Sequence, residues 1–200
     1  MRRALVGLLV TGLLAGCGSS PAPEERGSLS GTSLGNPFTV PGTVLTDTEG
    51  RPYDLAADST RPLTLLFFGY THCPDICQLV MSTVASALTR LVEADRDRVE
   101  VLFVTTDPAR DDATALRGYL DRFDPAFTGL TGDLEAIVDA GRELGVHIDR
   151  GSRLPTGGYD VAHTDHLFVI DAADEVPVIW QRDVSSAQLA ADLLTLLERS

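Results

Sequence analysis

A continuous apolar run followed at once by a pair of cysteines constrains this chain more than any other feature. The run covers Thr64 to Phe68 and is typical of a strand that is buried on both faces of a sheet. Cys73 and Cys77 come directly after it, and from Ile76 to Leu91 apolar residues recur at helical spacing. The cysteine pair is therefore predicted to lie at the junction between a central strand and a helix.

A second strand-to-helix unit follows the first. Val101 to Val104 is another buried strand, and a helix is predicted from about Asp112 to Phe123. Strand, helix and strand in this order place the two strands parallel in one sheet. Two further helices are predicted, at Asp133 to Leu144 and at Ser185 to Glu198.

Shorter strands and one loop complete the predicted order. The strands are Pro37 to Val40, Thr43 to Asp47, Pro52 to Leu55 after a turn at Thr48 to Gly50, Leu167 to Ile170 and Val176 to Trp180, and the loop is Gly151 to Gly158. This order predicts an α/β fold of the thioredoxin-like type, with an added N-terminal β-hairpin and an inserted helix.

The N-terminus has the pattern of an exported lipoprotein. Two arginines precede an apolar run, Ala4 to Leu14, that is too short to span a bilayer. The run ends in Leu14-Ala15-Gly16-Cys17, which resembles the lipobox of bacterial lipoproteins. We expect residues 1–16 to be a signal peptide, Cys17 to carry lipid, residues 17–35 to be a flexible tether, and residues 36–200 to form the domain. The domain would then lie on the outer face of the cell membrane.

Length and composition limit the number of domains, and charge limits the class of partner. Two hundred residues with 44% hydrophobic side chains suit one globular domain plus a leader and a tether. The formal net charge of −13 argues against nucleic acid and anionic lipid as partners. A metal ion, which is positively charged, is compatible with this negative net charge.

The cysteine pair has the spacing of a metal site. Residues four apart on a first helical turn lie on the same side of the helix, so Cys73 and Cys77 can share one ligand. The helix N-terminus is expected to lower the pKa of their thiols. Soft sulfur ligands select Cu(I), and two thiolates with one imidazole would serve either Cu(I) or Cu(II).

Four histidines are candidates for a third ligand: His72, His147, His163 and His166. In a thioredoxin-like layout the strand that begins at Leu167 lies beside the cysteine turn. His163 is placed in a loop just before that strand and is the preferred ligand. His166 is the alternative.

Other chemistry remains open for the same two cysteines. They could exchange disulfides, although thioredoxin-type exchangers have two intervening residues where this chain has three. They could form an inert disulfide bond, or Cys73 could attack peroxide with Cys77 resolving. Replacement of His163 distinguishes copper binding from disulfide exchange, because disulfide exchange does not need the imidazole.

Three separated motifs resemble the Sco/SenC family of copper chaperones for cytochrome c oxidase. They are Gly69 to Cys77, Asp107 to Asp111, and Val161 to Thr164 ahead of the strand ending at Asp171. The resemblance covers about residues 38–199. It links the Asp107 to Asp111 segment to the active-site face.

The resemblance also implies a site and a set of partners. Copper would be held by Cys73, Cys77 and His163. It would be delivered to the dinuclear centre of oxidase subunit II or to another exported cuproprotein. Alternatively, the protein would reduce the cysteines of that target. A thiol reductant protein would keep the pair reduced, and no small substrate would be turned over. Gln78 and Ala162 depart from the family, which often has Pro and Asp at these positions.

Overall fold

The computed structural model describes residues 28–74, 76–153 and 159–200. The predicted signal peptide, Cys17 and the first part of the predicted tether lie outside the described residues, as does Asp75. In the part of the chain that is described, no helix is both long and apolar enough to cross a membrane.

The described residues form ten strands and five helices. The strands are β1 (Thr32–Thr39), β2 (Val44–Asp47), β3 (Pro52–Asp54), β4 (Leu63–Gly69), β5 (Val99–Thr105), β6 (Thr128–Thr131), β7 (Ile148–Arg153), β8 (Tyr159–His163), β9 (Leu167–Asp171) and β10 (Glu175–Trp180). The helices are α1 (Ile76–Leu88), α2 (Glu93–Arg96), α3 (Ala113–Leu120), α4 (Leu134–Glu143) and α5 (Ser186–Leu197).

Eight of these strands form one mixed sheet in the order β1-β10-β9-β4-β5-β6-β2-β3. The strands β4, β5 and β6 are parallel neighbours, and the other pairs are antiparallel. The remaining two strands, β7 and β8, form a separate two-stranded antiparallel sheet. The predicted parallel pair at the centre is thus present, extended by β6.

Every residue of β4 is buried, because helices cover both faces of the sheet. Leu65 and Phe67 pack into the layer that contains residues of α1, α3 and α5. Leu66 and Phe68 pack into the opposite layer with residues of α4. The period-two alternation of a strand therefore explains why the whole run is apolar. It also fixes the end of β4, where the cysteine turn begins.

The N-terminal edge differs from the prediction. The added hairpin is formed by β2 and β3, with Gly50 at a φ of 79° in the turn between them. The preceding strand, β1, pairs instead with β10 at the opposite edge of the sheet. It begins at Thr32, inside the segment predicted as tether, so the ordered domain starts before residue 36.

A buried carboxylate explains this earlier start. Asp192 of α5 accepts hydrogen bonds from the Ser30 amide (3.0 Å), the Ser30 hydroxyl (2.5 Å), the Gly31 amide (3.1 Å) and the Trp180 indole (2.8 Å). These bonds attach the polar Ser-Gly segment to the core. Composition alone predicts a flexible linker here, because the partner lies about 160 residues away in sequence.

The strands β6, β7 and β8 and the short helix α2 were not predicted from the sequence. Part of the predicted loop, residues 151–153, belongs to β7, and the rest lies outside the described residues. His163, predicted in a loop, is the last residue of β8. The β6 segment is only four residues long and contains Gly129, which gives too weak a hydrophobic pattern to read.

Candidate metal centre

The cysteine turn lies at the carboxyl end of β4, as the sequence predicts. Cys73 stands in the turn and Cys77 in the first turn of α1. The Cys73 amide donates to the Tyr70 carbonyl at 3.2 Å, and the Cys77 amide donates to the Cys73 Sγ at 3.3 Å. The second bond uses one of the free N–H groups at the helix N-terminus and orients the Cys73 sulfur.

His163 approaches the sulfurs from the small β7–β8 sheet. Its Nε2 lies 3.7 Å from the Cys77 Sγ. One ligand atom from each of Cys73, Cys77 and His163 lies within 4.8 Å of the others, and neither cysteine is in a disulfide bond. The structure therefore brings the three predicted ligands together.

The orientation of the His163 ring is set by a backbone contact. Its Nδ1 lies 2.9 Å from the carbonyl oxygen of Thr164. A carbonyl can only accept, so Nδ1 carries the proton in the neutral ring and Nε2 keeps its lone pair toward the sulfurs. Metal-binding histidines are commonly oriented by such a bond on the distal nitrogen. Phe67 and Tyr70 contact the ring edge-on, with centroids 6.1 and 5.9 Å away.

Gly69 lets the turn pack tightly against the end of β4. A Cβ at this position would lie 2.8 Å from the Phe67 ring, 3.0 Å from the Phe103 ring and 3.1 Å from the Cys77 Sγ. The first distance would force the Phe67 ring to move, and the other two are tighter than ordinary contacts. The strand thus ends in glycine because Cys77 and two aromatic rings occupy the space.

The Cys77 thiol does not have the lowered pKa that its helix position suggests. Its pKa is raised, first by the hydrogen bond it shares with Cys73 and then by burial. Cys77 is fully buried and Cys73 is 7% exposed, so a second negative charge beside the first sulfur is poorly solvated. The expectation of a lowered pKa is wrong for Cys77. A metal ion that binds both sulfurs must displace this proton.

The other histidines lie apart from the sulfurs. His72 is 57% exposed, and its Nδ1 lies 3.0 Å from the Thr71 hydroxyl. His147 is exposed, and His166 is half-buried with its ring 6.3 Å from the ring of Phe168. Among the described residues, the group of potential ligands contains none of these three.

A shallow cleft leads to the site from solvent. It is lined by Tyr70, Cys73, Pro74, Ile76, Val161, His163, Asp165 and Arg182. Arg182 and Asp165 form an ion pair at 3.1 Å on its rim. Three of these residues were not predicted as site residues, because they come from separate segments that meet only in the fold: Tyr70, Asp165 and Arg182.

The segment from Asp107 to Asp111 lies behind the cysteine turn. Both aspartates are buried, and Arg110 forms an ion pair with Asp107. Asp111 contacts Thr71, two residues before Cys73. The resemblance placed this segment at the site face, and the structure brings it against the turn.

The donor set defines the kind of ion that fits. Two sulfurs and one imidazole nitrogen are soft to borderline ligands, which suit copper and zinc and are poorly matched to calcium or magnesium. Three protein ligands leave one position of a tetrahedral ion open. Such an arrangement can accept a metal and release it to another ligand.

Known proteins resemble the whole described domain. The family model SCO1/SenC matches residues 29–198. The mitochondrial SCO2 homolog of Danio rerio is 38% identical over 133 residues, which cover 64% of this chain and 47% of that protein. The chain thus spans about half the length of that relative.

Two solved structures show the same fold. Apo Sco1 from Thermus thermophilus is 32% identical, with a TM-score of 0.77 and coverage of 86% of this chain and 99% of that one. Bradyrhizobium japonicum ScoI, solved with copper bound, is 31% identical, with a TM-score of 0.67 and coverage of 81% and 98%. They confirm the predicted thioredoxin-like fold and the predicted resemblance. This chain belongs to the SCO1/SenC family.

Proposed function

We propose that this chain is a membrane-anchored copper chaperone that holds one copper ion through Cys73, Cys77 and His163. The observation that carries the proposal is the grouping of their ligand atoms within 4.8 Å. The ion would be cargo that the protein receives and passes on. No turnover of a small substrate is part of the proposal.

Copper is supported by ligand chemistry and by one relative. The two sulfurs favour Cu(I), and the imidazole extends the set toward Cu(II). The copper-bound ScoI of Bradyrhizobium japonicum shares the fold over most of its length at 31% identity. Zinc fits the same donors by geometry, so the choice between the two metals rests on the family and on direct measurement.

The target we propose is the dinuclear copper centre of cytochrome c oxidase subunit II. Support comes from the resemblance, since family members are copper chaperones for this oxidase. The predicted lipid on Cys17 would keep the domain at the outer membrane face. A thiol reductant protein would be needed as well, because copper loading requires both cysteines to be reduced.

The residues have separate parts in metal transfer. The open cleft lets a ligand from the target approach Cys73, the more accessible of the two sulfurs. His163, held by the Thr164 carbonyl, needs no rearrangement to accept the ion. Exchange of one ligand at a time would then move the copper without releasing it to water.

A second candidate is a thiol–disulfide reductase that acts on the cysteines of the same target. The observation in its favour is that Cys73 and Cys77 are not joined in a disulfide bond and that their sulfurs lie within 4.8 Å of each other. That reaction would oxidise the pair to a disulfide and reduce a disulfide of the target. It would not require His163.

Transfer to the target separates the two functions. The full chain is loaded with copper and mixed with reduced, metal-free subunit II, while the appearance of the dinuclear centre is followed by its absorption. Copper arriving in the centre from the wild-type chain, but not from His163→Ala, supports the chaperone. Reduction of oxidised subunit II by the metal-free chain, at equal rates for both proteins, supports the reductase instead.

A further inference from the structure

One buried carboxylate ties the segment after β5 to the cysteine turn. Asp111 is fully shielded from solvent. It accepts hydrogen bonds from the Thr71 amide (2.8 Å), the Thr71 hydroxyl (2.6 Å) and the Thr105 hydroxyl (2.8 Å). Thr71 stands two residues before Cys73, so the carboxylate holds the backbone that carries the first sulfur.

Neighbouring hydrogen bonds restrict the backbone on both sides of the contact between Asp111 and Thr71. The Thr106 amide donates to the Gly69 carbonyl at 2.6 Å, at the point where β4 enters the turn. The Thr131 hydroxyl of β6 donates to the Asp111 carbonyl at 3.0 Å. Asp111 is therefore fixed by the sheet before it contacts Thr71.

A buried charge at this place needs a reason, because removing a carboxylate from water is costly unless donors replace the water. Thr71 supplies an amide and a hydroxyl, and hydrogen bonds to a charged acceptor are stronger and shorter than neutral ones. The same bonds that satisfy Asp111 restrict the turn. We infer that Asp111 is a positioning residue that, through Thr71, holds Cys73 and Cys77 in the metal-binding arrangement before the metal arrives.

The inference rests on the proposed function for its copper readout, but its effect on the thiols does not. If the hydrogen bonds between Asp111 and Thr71 are lost, the cysteine turn is no longer held in place, and the metal ligands must be ordered when the metal binds. Copper affinity falls as a result. In the metal-free protein Cys73 and Cys77, which are 7% and 0% exposed in the wild-type chain, become more accessible to reagents.

Thr71 offers a variant that leaves the charge of Asp111 unchanged. Thr71→Val keeps the side-chain shape and removes the hydroxyl donor, whereas Thr71→Ser keeps the donor. We expect Thr71→Val to weaken copper binding at least about tenfold, the usual range for losing a partner that orients metal ligands. Its sulfur-to-copper absorption band should shift, and Thr71→Ser should restore both affinity and band.

Ser30→Ala is the matched control. It removes a hydroxyl donor from the other carboxylate described above, Asp192, which lies in α5 beneath β10. Its effect on thermal stability should be similar to that of Thr71→Val, without a change in copper affinity or absorption. Equal weakening of copper binding in both variants would overturn the inference, since it would show a general loss of stability.

A metal-free readout completes the test. All proteins carry Cys17→Ser, and the reaction of Cys73 and Cys77 with an aromatic disulfide reagent is timed. Thr71→Val should react faster than wild type, Thr71→Ser and Ser30→Ala. Unchanged thiol reactivity together with unchanged copper affinity overturns the role of Asp111. If even the parent protein takes up no copper, the proposed function fails, and thiol reactivity alone then decides on Asp111.

Discussion

At the scale of single residues, the site combines an oriented imidazole with two buried cysteines. The Thr164 carbonyl orients His163, and the pKa of the buried Cys77 thiol is raised in the metal-free protein. The raised pKa of Cys77 has a consequence for folding. The protonated thiol is favoured in the folded state more than in the unfolded state.

Stability of the metal-free, reduced chain should therefore fall in alkaline solution. Above about pH 9 an unfolded cysteine loses its proton while folded Cys77 keeps it, so the folded state binds more protons and stability declines as pH rises. The free energy of unfolding should drop with a slope approaching about 1.4 kcal/mol per pH unit. Guanidinium unfolding between pH 8 and 10, with chelator and reductant present, measures it.

Cys77→Ser provides the comparison, because its hydroxyl does not titrate in this range. The decline should be smaller in Cys77→Ser. Tyr53 and Tyr119, whose pKa values are raised by burial, add a decline of the same sign only above about pH 10. An equal slope in wild type and Cys77→Ser below pH 10 would contradict the assignment.

Only some of these residues can be predicted from the sequence. Cys73 and Cys77 are visible from their spacing and from the apolar run before them. His163 needed the fold argument, since 86 residues separate it from Cys77. Asp165, Arg182 and the Asp111–Thr71 contact give no local signal, because each depends on segments that meet only in three dimensions. The expected low pKa of Cys77 failed because burial and the second sulfur outweigh the helix N-terminus.

At the scale of elements, the end of β4 decides where the sulfurs stand. The strand is covered on both faces and cannot shift without moving core side chains from one layer to the other. Gly69 is the last residue of β4, directly against Cys77 and two aromatic rings. The junction between β4 and α1 is therefore sensitive to added volume.

Gly69→Ala should lower both stability and copper affinity. The new methyl group meets Phe67, Phe103 and the Cys77 sulfur within 3.1 Å, and overpacking of this kind costs about 1–3 kcal/mol. Thermal unfolding of the metal-free chain and a copper titration measure the two effects.

Gly118→Ala is the matched control in α3. A Cβ there has no other atom within 4 Å, and alanine favours a helix interior by about 0.5–1 kcal/mol over glycine. The control should be neutral or slightly stabilising, with copper affinity unchanged. If Gly69→Ala behaves like Gly118→Ala, the packing of the junction does not control the site.

The elements that sequence reasoning predicted are those with strong periodicity. The central strands β4 and β5, the helices α1, α3, α4 and α5, and the β9–β10 pair match their predicted positions within a few residues. The strands β6, β7 and β8 were missed because they are short, polar or contain glycine. That omission left His163 in a loop, although a two-stranded sheet positions it.

At the scale of the whole molecule, the sheet edges differ most from the prediction. The prediction gave an added N-terminal hairpin without a place in the sheet, and β1 and the β2–β3 hairpin lie at opposite ends of the sheet order. The β1–β10 pairing joins segments more than 130 residues apart, as between Phe38 and Val176. Local sequence patterns carry no information about it.

The predicted lipid on Cys17 concerns the whole molecule, because it sets where the domain works. In its native cell the mature chain should begin at Cys17 and carry lipid mass on that residue, and the protein should sediment with membranes. Cys17→Ala should remove the lipid mass without altering copper affinity of the purified chain. Mass spectrometry of the N-terminal peptide decides, and an unmodified Cys17 in the native protein would contradict the prediction.

The central claim, a copper site of two sulfurs and one imidazole, is tested most directly by copper titration of the reduced full chain with His163→Ala and His166→Ala variants. We predict one copper per wild-type chain, with a sulfur-to-copper absorption band. His163→Ala should weaken copper binding by more than about tenfold, because it removes a ligand itself and not only a residue that orients a ligand. It should also change the absorption band. His166→Ala should match wild type. Equal copper affinity in His163→Ala and wild type would contradict the site.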